Sequence, residues 1–95
     1  MTIGQVIKKI IKKRGLTQVE VAKSIGKSTT ALSQIINGVY EPNPESLEKL
    51  CSVLEVPKPI LYFMMISEED LPEEKKEVFK DFEPVLKDFI SEVFD

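Results

Sequence analysis

Apolar residues at the start of the chain recur with the period of an amphipathic helix. Ile3, Val6, Ile7, Ile10 and Ile11 fall at the i, i+3, i+4, i+7, i+8 spacing of one face, while Gln5, Lys8, Lys9, Lys12 and Lys13 fall elsewhere. Thr2 is placed to cap this helix, and Gly15 to end it in a left-handed conformation behind the cations Lys12 to Arg14, which suit a helix C-terminus. A basic amphipathic helix would also suit a membrane surface, but this one carries no Trp or Phe and a globular helix follows at once, so core packing is the expectation. Thr17 offers the next N-cap with Glu20 at the capping-box spacing, and Leu16 is placed to staple onto Val21. Val21, Ala22 and Ile25 supply a buried face before Gly26 stops the helix. Lys27 and Ser28 then open a third helix, and so short a connection makes the two helices cross steeply, with the small Ala22 allowing close approach. Along the third helix Leu32, Ile35 and Ile36 face inward and Thr29, Thr30, Ser33 and Gln34 outward, until Gly38 ends it.

Asn43 caps a fourth helix with Pro44 at its first position, and Leu47, Leu50, Cys51 and Leu54 form its buried stripe, with Cys51 read as a packed thiol. Pro57 and Pro59 punctuate. The run Ile60 to Ile66 is apolar on all sides, which predicts a helix covered on both faces, one closing the core and the other under the C-terminal segment or a second subunit. Ser67 to Pro72 form an acidic joint. Beyond it Phe79, Phe82, Leu86, Phe89 and Val93 alternate by three and four as a heptad-like seam, widened by Val78, Val85, Ile90 and Phe94. Pro84 should kink or divide this helix after Glu83, since it removes one backbone donor and crowds the preceding turn. The seam either folds back onto its own domain or forms a homodimer interface. The chain therefore reads as all-α, with a domain over residues 1–66 and a C-terminal amphipathic packing or dimerisation segment over residues 67–95.

Charge changes this picture by dividing it. The net charge is -3, yet residues 1–43 carry seven basic side chains against two acids, and residues 44–95 carry six lysines against fourteen acids. A basic half suited to a polyanion is thus joined to an acidic half best kept from phosphate, unless the two neutralise each other within one fold. With 42% hydrophobic and 31% charged residues the 95-residue chain is an ordinary globular one, large enough for a modest core. One cysteine makes no internal disulfide, no secretory apolar region follows Met1, and no apolar run reaches the roughly 20 residues of a membrane span. A cytoplasmic protein without membrane association is expected. The absence of histidine argues against Ser-His-Asp and Cys-His catalysis and against common zinc sites, and no Gly-rich phosphate loop occurs. Carboxylate pairs such as Glu68-Glu69 and Glu73-Glu74 lie in polar runs that give no means of raising a pKa. Neither an enzyme nor a cofactor or metal site is expected.

The run LTQVEVAKSIGKSTTALSQIING followed by EPNPESLEKLCSVLEVP resembles the XRE-type, lambda-repressor-like (Cro/CI-type) helix-turn-helix domains of phage and bacterial regulators. The matching positions are Leu16-Thr17-Gln18, Ala22, Gly26, Ser28, Leu32-Ser33, Ile35, Gly38, Pro42, Leu47, Leu50 and Leu54, and the likeness extends to about Met65. It implies a bundle of five short helices that binds double-stranded DNA, with Thr29, Thr30, Ser33 and Gln34 facing base edges and Gln18 and Asn37 on the phosphate backbone. The residues themselves add Lys27 with Ser28 at the start of the third helix, and Tyr40 beside Asn37, as further phosphate anchors. Gln34 is able to donate to and accept from adenine, and threonine offers a methyl to thymine. The chain departs from the family in having no Arg in the third helix, Glu55 where a helix-ending Gly is usual and Pro44 where Leu is common. Weak guanine contacts and a reliance on A·T features and DNA shape follow from the missing Arg. The expected function is a small transcriptional regulator, a dimeric repressor acting by steric occlusion. The alternative is a protein-interaction module, an antitoxin or adaptor, whose C-terminal helix binds a protein partner.

Overall fold

The structure is a computed structural model that describes residues 1–94, with side chains as far as Glu92. It is helical throughout: α1 (Ile3–Lys13), α2 (Gln18–Ser24), α3 (Thr29–Ile36), α4 (Pro44–Val53), α5 (Lys58–Met65), two 3-10 turns (Glu68–Asp70 and Glu73–Lys75) and α6 (Lys76–Phe94). The chain divides into two compact units, Met1–Met65 and Ile66 onward.

In the first unit every helix from α1 to α4 starts on a side-chain cap. Thr2 Oγ1 accepts from the Gln5 N–H at 3.2 Å while Gln5 Oε1 accepts from the Thr2 N–H at 2.9 Å, a reciprocal box. Thr17, Ser28 and Asn43 each accept from the amide three residues on, at 3.1, 3.0 and 2.8 Å. The Thr17 cap is one-sided, since the Glu20 carboxylate stays exposed. The helices also stop alike. After α1, α2, α3 and α4 a residue with positive φ lets the amide beyond it reach back to the last turn, as in Lys27 N–H to Ala22 C=O at 2.9 Å and Val56 N–H to Cys51 C=O at 3.0 Å. Gly26 holds φ 73° at no steric cost, whereas Glu55 holds φ 55° with a side chain attached.

Glu55 is therefore a correctable defect. Glu55→Gly relieves a left-handed conformation worth about 1–2 kcal/mol, offset by about 0.5–1 kcal/mol of chain entropy. A net gain of about 0.5–1 kcal/mol, or about 4 °C in melting temperature, is the expected result of thermal unfolding followed by circular dichroism. An unchanged or lower melting temperature would count against strain at this residue.

The core of the first unit gathers Val6, Ile7, Ile10, Ile11, Val21, Ala22, Ile25, Leu32, Ile35, Ile36, Leu47, Leu50, Leu54, Val56 and Leu61. The apolar faces expected of α1, α2, α3 and α4 are all represented, with Cys51 half-buried against the cluster and its thiol pushed up from its ordinary pKa by burial. Residues 58–65 form α5, with Leu61 buried in the core, Ile60, Met64 and Met65 packed partly buried against it, and Tyr62 exposed. One feature differs from expectation. Arg14 is no free surface cation: its Nε donates to Leu54 C=O at 3.1 Å and an Nη to Glu55 C=O at 3.2 Å, satisfying carbonyls at the end of α4 some forty residues away.

In the second unit α6 packs against both 3-10 turns. Ser67 opens the first of them, its N–H and hydroxyl donating to Asp70 Oδ2 at 2.9 and 3.2 Å, which holds the Asp70 carboxyl below the usual carboxylate range. α6 runs as a single helix through Pro84, with Lys87 Nζ to Glu83 Oε1 at 3.2 Å spanning the proline, so of the two outcomes expected there, a kink or a division, the division does not occur.

Candidate nucleic-acid interface

α3 owes its orientation to its buried side. Leu32 is fully inaccessible and Ile35 and Ile36 nearly so, and together they seat the helix against α1 and α2. That seating turns the opposite side outward, with Thr29 and Thr30 exposed and Ser33 and Gln34 half-buried at the edges of the same polar face. Gly4 makes the seat close. A Cβ built on Gly4 would meet the backbone of Ile35 and Ile36, the Ile35 carbonyl oxygen at 2.6 Å and the Ile36 carbonyl carbon at 2.8 Å, so α1 touches the end of α3 main chain to main chain.

The polar residues around α3 do not all have the freedom their sequence positions indicate. Ser28 Oγ is engaged in capping, accepting from Ala31 N–H at 3.0 Å, which leaves its O–H as a donor for a ligand. Asn37, exposed at the end of α3, donates from Nδ2 to Ser33 Oγ at 3.3 Å, so the two side chains are coupled across one helical turn. Gln18 is half-buried as the first residue of α2.

Beside the polar face lies a cleft of ≈ 310 Å³ lined by Lys27, Ala31, Gln34, Ile35, Tyr40, Glu41, Pro42 and Asn43. It brings together Lys27, Gln34 and Tyr40, while Gln18, Ser28, Thr29, Thr30, Ser33 and Asn37 are not part of its lining. Ala31 and Glu41, whose sequence positions suggested no role, also line the cleft, and only their place next to α3 in space identifies them.

The residues suggested as a pairing seam on α6 do not share one environment. Phe82 and Phe89 are exposed, Phe79 and Leu86 are half-buried, and the Val93 and Phe94 side chains lie outside the described residues. Among the described residues no cluster of three or more Cys, Asp or Glu is gathered as metal donors, and no helix is long and apolar enough to cross a membrane.

Two helices joined by a Gly-centred turn, the second seated on its apolar side within a five-helix bundle, define a helix-turn-helix protein. The chain belongs to the helix-turn-helix family, in its XRE-type branch, the family pattern matching residues 7–61. It is similar to the immunity repressor protein of Bacillus phage phi105, 34% identical over 93 residues that make up 93% of this chain and 65% of the relative. It is also similar to the ImmF control region 10 kDa protein of the same phage, 37% identical over 54 residues, 57% of this chain and 60% of that protein. The chain thus spans less than two thirds of the length of either relative. No solved structure matches it.

Proposed function

We propose that the chain binds double-stranded DNA sequence-specifically and represses transcription by occupying its site. The observation that supports this most is the polar, solvent-facing side of α3, held rigid by Leu32, Ile35 and Ile36 behind it. The immunity repressor likeness points the same way. Thr29, Thr30, Ser33 and Gln34 read base edges, with Gln34 bidentate to adenine and the threonine methyls against thymine. Gln18, Lys27, Ser28 and Tyr40 hold phosphate oxygens. Asn37, given its bond to Ser33, acts on the base-reading face as well as on the backbone. Two copies on a near-palindromic site set their α3 helices in successive major grooves about 34 Å apart and exclude polymerase from the same DNA. No catalytic step is needed.

Selection of bound sequences from random DNA, followed by gel-shift titration of the winner, tests this directly. With about two to four phosphates neutralised by a pair of subunits, affinity falls about 10- to 100-fold between about 50 and about 200 mM salt. Gln34→Ala changes the preferred base at one position of each half-site, at a cost of about 1–3 kcal/mol for the preferred sequence, whereas Lys27→Ala weakens all sequences alike and lowers the salt slope by about two, about one for each subunit. A flat salt response, or identical behaviour of the two variants on every sequence, would overturn the assignment.

A further inference from the structure

One face of α6 is left uncovered by the described residues of its unit. Val78, Phe82, Val85 and Phe89 recur at spacings of four, three and four, and are 67%, 55%, 62% and 58% exposed. At 3.6 residues per turn they make one continuous stripe, while the half-buried Phe79 and Leu86 and the buried Ile90 turn to a different side. Single exposed apolar residues are ordinary; four in a row along one helix, two of them phenylalanine, mark a surface that another molecule covers.

The charges beside the stripe identify what kind of molecule. Helical spacing puts Glu77, Asp81, Asp88 and Glu92 in a row along one edge of it, all exposed and, among the described residues, none in an ion pair. The lysines of α6 project from the opposite side and are already engaged: Lys76 with Glu73 at 3.1 Å, Lys80 with Glu68 at 3.2 Å and Lys87 with Glu83 at 3.2 Å. The stripe is therefore apolar along its length and anionic along its rim, with the lysines of α6 turned away.

We propose that this face of α6 binds a basic amphipathic helix of another protein, whose apolar side chains cover Val78, Phe82, Val85 and Phe89 and whose lysines or arginines meet Glu77, Asp81, Asp88 and Glu92. A second copy of the chain complements the surface less well. Packed antiparallel, two copies set their acidic rows against each other; packed parallel, each row meets the Phe79 and Leu86 side of its neighbour, where α6 carries no lysine. Either way carboxylates lose solvent without gaining a partner. A basic partner supplies both the apolar cover and the counter-charge, and a regulator carrying such a surface can be recruited or displaced through α6 by a protein that never touches α3. The proposal does not rest on the DNA reading.

The full-length chain is titrated against a fluorescein-labelled synthetic helix with leucines at i, i+3, i+4 spacing and lysines elsewhere, with an otherwise identical peptide carrying glutamates in place of the lysines as control. Fluorescence anisotropy is expected to show saturable one-to-one binding of the lysine peptide and none of the control. Phe82→Ala with Phe89→Ala weakens binding about tenfold or more. Asp81→Asn with Asp88→Asn weakens it about three- to tenfold and removes most of its salt dependence. All four positions are exposed, so circular dichroism of both variants should match the parent. Binding indifferent to both variant pairs overturns the proposal. So does a peptide-free dimer in sedimentation equilibrium that the phenylalanine variant dissociates, which makes a second copy the occupant.

Discussion

Gly4→Ala is expected to destabilise the protein by about 3 kcal/mol, lowering its melting temperature by roughly 15 °C. The expectation runs against helix propensity, by which alanine in place of a helix glycine gains about 1 kcal/mol. What reverses the sign is the surface Gly4 faces. Its missing Cβ would lie against the carbonyls of Ile35 and Ile36, well inside the 3.5–4.0 Å or so at which carbon contacts are favourable. The atoms in the way are main chain, with no rotamer to change, so relief requires α1 and α3 to separate. Separation loosens Val6 and Ile7 on one side and Leu32 and Ile36 on the other, all of them in the core. Urea or thermal unfolding of the variant measures the loss; a Gly4→Ala protein as stable as the parent would mean that α1 and α3 are not in main-chain contact. Because α3 carries the polar face, the surviving folded fraction should also bind DNA less tightly than the parent.

Gly4 was not legible in the sequence, and the reason is general. A glycine within an amphipathic run looks like a local defect, since its meaning lies in the backbone of a helix some thirty residues away. Arg14 has the same character. Counted by position it belongs to a basic surface, but its guanidinium closes the end of α4. The bond from Asn37 to Ser33 is likewise absent from what position alone tells, which marks Asn37 only as a candidate phosphate anchor. Local features, by contrast, were legible. Thr2, Thr17, Ser28 and Asn43 are polar residues standing one before an apolar-periodic run, and each caps the helix it precedes. The inward positions of α3 followed from their spacing alone. The C-terminal segment lies between these cases. Residues 78, 79, 82, 85, 86, 89 and 90 are all apolar, so periodicity is compatible with more than one seam, and only packing separates the exposed stripe from Phe79 and Leu86.

Leu32→Ala should weaken DNA binding at ordinary temperature without touching DNA, by depleting the folded fraction. Leu32 is fully buried in α3, and truncating such a leucine costs about 3–4 kcal/mol through lost burial and the cavity left behind. A unit of this size holds roughly 3–10 kcal/mol of stability in all, at the usual yield per residue, so the variant stands near its unfolding midpoint. Gln34→Ala, two residues on, removes a half-buried polar side chain from the outward face and should move stability by less than about 0.5 kcal/mol. Both variants lose affinity, for opposite reasons, and a third substitution separates them. Glu55→Gly acts on backbone strain at the end of α4, a source of instability distinct from a cavity at Leu32. Added to Leu32→Ala it should restore about 0.5–1 kcal/mol of stability and raise DNA affinity with the parent's base preference intact. Added to Gln34→Ala it should raise the melting temperature by a similar amount and leave both the weakened affinity and the altered base preference as they were. If Glu55→Gly improved DNA binding equally in the two backgrounds, Gln34 would be a stability residue and the base-reading role of this face of α3 would fail.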